Sequence, residues 1–225
     1  MVILQPVLLI VLFRYAFGGA VETGDTSYVD FLIPGVIAAN AALVGTTAAV
    51  GIAKDISGGI VDRFRSLPMS RFAILGGTVL ANTVRSMMAL IAMVAVGLLV
   101  GFRPDAGIGA WLGVLGLMVL VSYAFSWLLA IVGTIAGSEE AAYQMGALVW
   151  PLAFLSSAFV RPETMPSGLE WFAANQPISQ AIDAVRALLL GEPVGNHVWI
   201  TLVMCAAIAV VSAAVATTLL ERKFK

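Results

Sequence analysis

Residues 54–71, KDISGGIVDRFRSLPMSR, separate two apolar stretches that are each long enough to cross a bilayer. In a helical reading Ile56, Ile60, Phe64 and Leu67 fall near one face, Asp62, Arg65 and Ser66 point elsewhere, and Pro68 supplies a stop. The pair Gly58 and Gly59 predicts a hinged turn followed by a short helix from Ile60 to Leu67. A charged, amphipathic island in an apolar chain is a docking surface for something cytoplasmic. The competing reading is a solvated connector whose arginines anchor the membrane boundary.

The rest of the chain sets that island in a membrane. Of 225 residues 60% are hydrophobic and only 11% charged, with a mean hydropathy of +1.00. A soluble domain carries about 25% charged residues, so this chain cannot coat a globule with polar surface. Six segments approach the roughly 20 apolar residues that a 30 Å hydrocarbon core requires. They run from Val2 to Phe17, Val29 to Ala53, Met87 to Phe102, Ala110 to Ala136, Ala142 to Val160, and Val198 to Leu220. The first lacks a basic flank and a small-residue cleavage site, which makes it a short span rather than a secretory signal.

The basic residues set the orientation. With residues 54–71 and the C-terminal ERKFK on one side, that side holds eight basic residues against five acids, a net +3. The other side has Arg14, Arg103, Arg161 and Arg186 against eight acids, a net −4. The positive-inside rule then makes residues 54–71 and both termini cytoplasmic. Arg85 lies within an apolar pattern; the reading adopted here puts Phe72 to Arg85 at the cytoplasmic boundary, with Arg85 snorkelling to the headgroups. Residues 161–196 are too polar for a spanning helix and too apolar for a solvated loop. Their prolines, with Trp171 and Phe172, suggest external helices at or dipping into the outer leaflet.

Several chemistries find no support. There is no G-x-x-x-x-G-K-[ST] loop, no G-x-S-x-G elbow and no H-E-x-x-H helix. One cysteine, Cys205, and one histidine, His197, cannot build a disulfide or a zinc cluster. Glu139 and Glu140 read as negative charge at a helix N-terminus rather than as an acid and base pair. Gly18, Gly19, Gly76, Gly77, Gly97 and Gly101 suit close helix packing. No span holds an acid well inside its middle, which argues against an ion- or proton-coupled transporter.

Several stretches together resemble the permease subunits of type-2 ABC exporters, in particular the daunorubicin-resistance branch of actinobacteria. They are SGGIVDRFRSLPMSR at 57–71, FRYAFGGA at 13–20, YVDFLIPGVIAAN at 28–40, GLLVGFRP at 97–104 and the run LSSAFVRPETMPSGLEWFAANQPISQAIDAVRALLLGEP at 155–193. The resemblance implies an all-α membrane protein: a single type-2 ABC transmembrane domain over residues 1–225, with six transmembrane helices, a cytoplasmic coupling helix and small external helices between the last two spans. The amphipathic helix that precedes the first span in the family is missing, so a truncated start is expected.

The same resemblance implies a drug exporter of the bacterial plasma membrane. It implies a separate ABC ATP-binding subunit that uses ATP and Mg, a second permease copy or homologue, contact with membrane lipid, no nucleic acid, and no cofactor or catalytic residue in this chain. Ile60, Asp62, Arg63, Phe64, Arg65, Leu67 and Pro68 would form the coupling helix. The substrate path would lie between the two permease copies, lined by spans two and five, with Asn40, Thr46 and Thr47 from one span and Trp150, Phe154 and Ser157 from the other. The expected cargo is a hydrophobic or amphipathic drug, antibiotic or lipid-like metabolite. A polysaccharide or glycolipid cargo is the alternative within the superfamily, and an ion-coupled transporter or a non-transporting scaffold the alternatives outside it.

Overall fold

A computed structural model describes residues 4–17, 28–59 and 71–223. Among these there is no strand; the chain is a helical bundle. Its helices are α1 (Leu4–Phe17), α2 (Tyr28–Leu43), α3 (Gly45–Ser57), α4 (Arg71–Val100), α5 (Ile108–Ile135), α6 (Glu139–Gly146), α7 (Val149–Phe154), α8 (Ser167–Asn175), α9 (Pro177–Leu190) and α10 (His197–Lys223), with one 3-10 turn at Pro162–Thr164.

Among the described residues four helical stretches are long and apolar enough to cross a membrane: α2 with α3 as Tyr28–Ser57, then Phe72–Val100, Ile108–Ile135 and His197–Lys223. At 1.5 Å per residue the 30-residue α4 is about 45 Å long, more than the hydrocarbon thickness. Helix α1 has 14 residues and reaches only about 21 Å. Helix α2 lies in the centre of the bundle, buried along most of its length. Helices α4 and α10 lie outside and present Leu80, Val84, Met88 and Ile91, and Trp199, Val203, Val210 and Val211, as exposed apolar faces. Such faces belong against lipid tails.

Most charge sorts to the two ends of the bundle, Arg85 midway along α4 being an exception. The backbone N–H of Arg103 donates to Asp30 Oδ1 at 3.2 Å, tying the end of α4 to the start of α2. At the other end Lys223 Nζ donates to the Thr134 carbonyl at 3.0 Å, tying α10 to α5. Lys54, Glu139 and Glu140 share that second end. Ser138 caps α6 there, its hydroxyl accepting from the Ala141 N–H at 3.1 Å.

One expectation is corrected and one helix is longer than expected. Residues 72–85 form the first half of one continuous helix that runs on to Val100. Asn82 is buried to 1% exposure and bonded to two other helices, while Arg85, one turn further on, is exposed on the outer face. Among the glycines, Gly97 does pack tightly, a Cβ there lying 2.7 Å from Ile33, but nothing lies within 4 Å of one at Gly77. Gly101, at φ +108°, ends α4 in a Schellman turn, with the Phe102 N–H bonded to the Gly97 carbonyl at 2.9 Å. Gly18 and Gly19 lie outside the described residues.

Two spanning helices approach closely at Gly133 of α5, where a Cβ would stand 2.5 Å from the Ala49 carbonyl oxygen and 3.0 Å from Ala49 Cα. Backbone cannot yield as a side chain can. Gly133→Ala is therefore expected to destabilise the bundle by about 2 kcal/mol. Gly77→Ala, with open space around it on a helix, should be neutral or stabilising by about 0.5 kcal/mol. Thermal unfolding of the two variants in detergent checks this contrast.

Candidate functional site

The site is built on three breaks in otherwise helical segments. The first lies at Val44, between α2 and α3. There the Val44 carbonyl accepts from the Thr47 N–H at 3.0 Å and also from Asn82 Nδ2 of α4 at 3.0 Å. Asn82 Nδ2 lies 2.9 Å from Ser126 Oγ of α5 as well, so one buried amide joins three helices at the break. Gly45 follows directly; a Cβ there would meet the Phe125 carbonyl at 2.7 Å, and its absence lets α3 lie against α5.

The second break separates α6 from α7. Pro151 has no N–H to donate to the Ala147 carbonyl, which accepts from Trp150 at 3.0 Å instead. The third ends α7 at Phe154. Its last carbonyls would be orphaned, but Gln176 Nε2 donates to Leu152 at 3.0 Å and to Leu155 at 2.9 Å. The chain then turns through 155–160 and packs onto α2 at Gly35, where a Cβ would lie 2.6 Å from the Ala158 carbonyl.

Between these breaks is a cavity of about 340 Å³. Asn40, Thr46 and Thr47 line it from α2 and α3, Tyr143 from α6, Trp150 and Phe154 from α7, Phe159 from the turn and Leu9 from α1. No charged side chain is among the described residues that line it. Three of the lining rings follow one another, Trp150 to Phe154 at 6.2 Å and Phe154 to Phe159 at 5.2 Å between centroids, and Phe13, outside the lining, lies 4.9 Å from Phe159. Thr46 Oγ1 donates to the Gly146 carbonyl at 3.4 Å, where α3 crosses α6.

Five of the six residues read as a substrate path thus meet on one cavity. Ser157 does not. In a continuous helix it would share the face of Trp150 and Phe154, but the end of α7 turns it away. Its hydroxyl donates to Asp183 Oδ1 at 2.8 Å and its N–H to Ser179 Oγ at 3.2 Å. Arg186 completes this cluster, with Nη1 on Asp183 Oδ1 at 3.1 Å and Nη2 on the carbonyls of Ser157 at 2.9 Å and Phe31 at 3.3 Å. Its guanidinium stands over the Phe31 ring, 3.9 Å from the centroid. Burial pushes the Asp183 carboxyl above its usual range, and the Ser157 hydroxyl and Arg186 pull it back. The cluster latches α9 and the turn onto α2. His197 adds a further tie, its Nδ1 2.9 Å from Gln180 Oε1.

Tyr143 and Phe159 were missed in the sequence. Tyr143 stands seven residues before Trp150, two helical turns away on the same face, and that spacing was the available signal. Phe159 carried no such signal, because it reaches the cavity only through the break. The expected coupling residues Ile60, Asp62, Arg63, Phe64, Arg65, Leu67 and Pro68 lie outside the described residues. The glycine hinge before them is seen: α3 ends at Ser57, and Gly59 takes φ +69°.

The ABC-2 type transporter family matches residues 1–190. The chain belongs to that family. It is 34% identical to the daunorubicin resistance ABC transporter permease protein DrrB1 of Streptomyces coeruleorubidus, over 84% of this chain and 68% of that protein. Against the probable doxorubicin resistance ABC transporter permease protein DrrC of Mycobacterium tuberculosis it is 30% identical, over 94% of this chain and 77% of the relative. A putative transport permease, ycf38 of Cyanophora paradoxa, is 26% identical over 83% of this chain and 66% of that protein. In this ABC-2 type chain the family match covers the cavity, the latch and every element up to Leu190, and stops before α10.

Proposed function

We propose that the chain is the membrane-spanning permease subunit of an ATP-driven drug exporter, and that the cavity beside Val44 is part of the path its cargo takes. The observation that carries this reading is the joining of Asn40, Thr46, Thr47, Trp150 and Phe154, distant in sequence, around one uncharged, aromatic-walled space. A flat or amphipathic apolar compound suits such walls, and the relatives named for daunorubicin and doxorubicin resistance support the same class. Polysaccharide cargo is less well served, since most of the lining offers no polar partner for hydroxyl-rich surface.

In this reading residues 1–225 are one transmembrane domain. Helix α1 and the broken pair α6 and α7 complete six passes with the four long helices, and α8 and α9 are the external helices. The end carrying Lys54 and Lys223 is cytoplasmic, and the end carrying Asp30, Arg103 and the Arg186 latch is outside. Both termini are cytoplasmic in a bacterial plasma membrane. Residues 60–68 dock on a separate ATP-binding subunit, which binds ATP and Mg, and a second permease copy or homologue completes the path.

Reconstitution in liposomes tests the reading. The chain alone should move a fluorescent aromatic drug only down its gradient, and should move it uphill when an ATP-hydrolysing subunit and ATP are supplied. Uphill movement by the chain alone under a proton or sodium gradient would replace the exporter subunit with a secondary transporter.

A further inference from the structure

One charge in the spanning region lacks a partner among the described residues. Arg85 lies midway along the 30-residue α4, is exposed on the outer face of the bundle, and makes no hydrogen bond, ion pair or ring contact there. Its depth follows from the packing of α4 on the α2 and α3 pair. Asn82 meets Val44, and a Cβ at Gly51 would lie 3.5 Å from Thr78 Cγ2, so the two segments run in opposite directions with Gly51 and Thr78 at one level. Lys54 stands three residues beyond Gly51 toward one end of the bundle, and Arg85 seven residues beyond Thr78 the other way. At 1.5 Å per residue the Arg85 backbone lies about 15 Å inward from Lys54, near the middle of a hydrocarbon core of about 30 Å. An uncompensated charge at that depth is expensive.

The face around Arg85 is shaped to bring a counter-charge in. Helical side chains lean toward the N-terminus, which for α4 is the Lys54 end, and the residues one and two turns that way are Ala81 and Gly77. Both are exposed and small, and nothing lies within 4 Å of a Cβ at Gly77, so a notch runs from Arg85 toward the Lys54 end. A second copy of this chain offers no acid at the right depth. Among the described residues the acids on the long spanning helices are Asp30, Asp55 and Glu221, all near helix ends. A zwitterionic headgroup would carry its own cation into the same low-dielectric space, whereas a phosphodiester of net negative charge compensates the guanidinium directly.

We propose that Arg85 holds the phosphate of one anionic phospholipid, drawn from the leaflet on the Lys54 side into the notch over Ala81 and Gly77. Its acyl chains lie along the exposed Val84, Met88 and Ile91, and the bilayer thins locally beside α4. The site is separate from the cavity, whose described lining includes no residue of α4.

The experiment places the full chain in nanodiscs of equimolar phosphatidylglycerol and phosphatidylcholine with identical acyl chains. Lipids retained on the released protein are counted by native mass spectrometry. Wild type should keep phosphatidylglycerol over phosphatidylcholine as its most tightly held lipid by about tenfold, the scale of one hydrogen-bonded charge pair. Arg85→Leu should abolish most of that preference and Arg85→Lys should keep most of it. Gly77→Leu, which fills the notch and leaves the charge, should reduce it severalfold. Arg222→Gln, at the charged end of α10, should leave it unchanged. Phosphatidylglycerol should raise the unfolding temperature of wild type above its value in phosphatidylcholine, but not that of Arg85→Leu.

Equal retention of the two lipids by wild type overturns the site, and so does a preference that survives in Arg85→Leu. An equal loss in Arg222→Gln and Arg85→Leu also overturns it, because the preference is then a general attraction to basic groups. Should Arg85→Leu fail to fold, the wild-type ratio and the Gly77→Leu ratio still decide, an unchanged ratio in Gly77→Leu removing the notch and with it the proposal.

Discussion

Arg186→Leu is expected to lower the stability of the folded chain by about 3 kcal/mol, the largest loss from any single substitution considered. The variant strips a buried carboxylate of its counter-charge. Arg186 and Asp183 have side chains only 12% and 26% exposed, so water can compensate little of that loss. It also removes the donor to the Ser157 and Phe31 carbonyls. Arg186→Leu combined with Asp183→Leu should be more stable than Arg186→Leu alone, because no unpaired charge remains. Thermal unfolding in detergent measures both. A single variant within 0.5 kcal/mol of wild type, roughly the range of neutral surface changes, would mean that the latch does not hold the fold.

Asn82→Leu is expected to cost about 2–3 kcal/mol. One amide nitrogen serves the Val44 carbonyl and the Ser126 hydroxyl; its loss leaves the carbonyl with the Thr47 N–H alone and takes the donor from the buried Ser126 oxygen. Hydrogen bonds between membrane helices are individually modest, so the double-mutant cycle is the informative measurement. Ser126→Ala should destabilise wild type but change Asn82→Leu by much less. The same variant should weaken aromatic binding in the cavity, since Val44, Thr46 and Thr47 all stand beside the break that Asn82 holds. Unchanged stability with additive effects of the two substitutions would remove Asn82 from the junction.

Much of the fold was legible because composition and span length are local properties. The apolar runs behind α2, α4, α5 and α10 could hardly form anything else in a membrane, where every backbone polar group must be satisfied within the segment. The sorting of Lys54, Lys223 and Glu139 to one end and of Asp30 and Arg103 to the other followed from the same runs. Asn40, Thr46, Thr47, Trp150 and Phe154 stand out as polar or aromatic exceptions on apolar helices, but it was the resemblance to exporter permeases that put them on a substrate path.

Tertiary structure decided what those exceptions touch. Asn82 reads in sequence as a boundary residue, and only the neighbouring Val44 carbonyl and Ser126 hydroxyl make it an interior junction. Ser157 reads as the next rung after Trp150 and Phe154, until Gln176, 19 residues further along the chain, takes the last carbonyls of α7 and ends the helix. That ending sends Ser157 to Asp183 and Arg186 and brings Phe159 into the cavity in its place. By itself the sequence determined the four segments that form membrane-length apolar helices, because their length and composition are properties of the residues of each segment alone. The breaks, the latch and the cavity depend on hydrogen-bond partners and backbone approaches between segments far apart in the chain, and no local pattern encodes them.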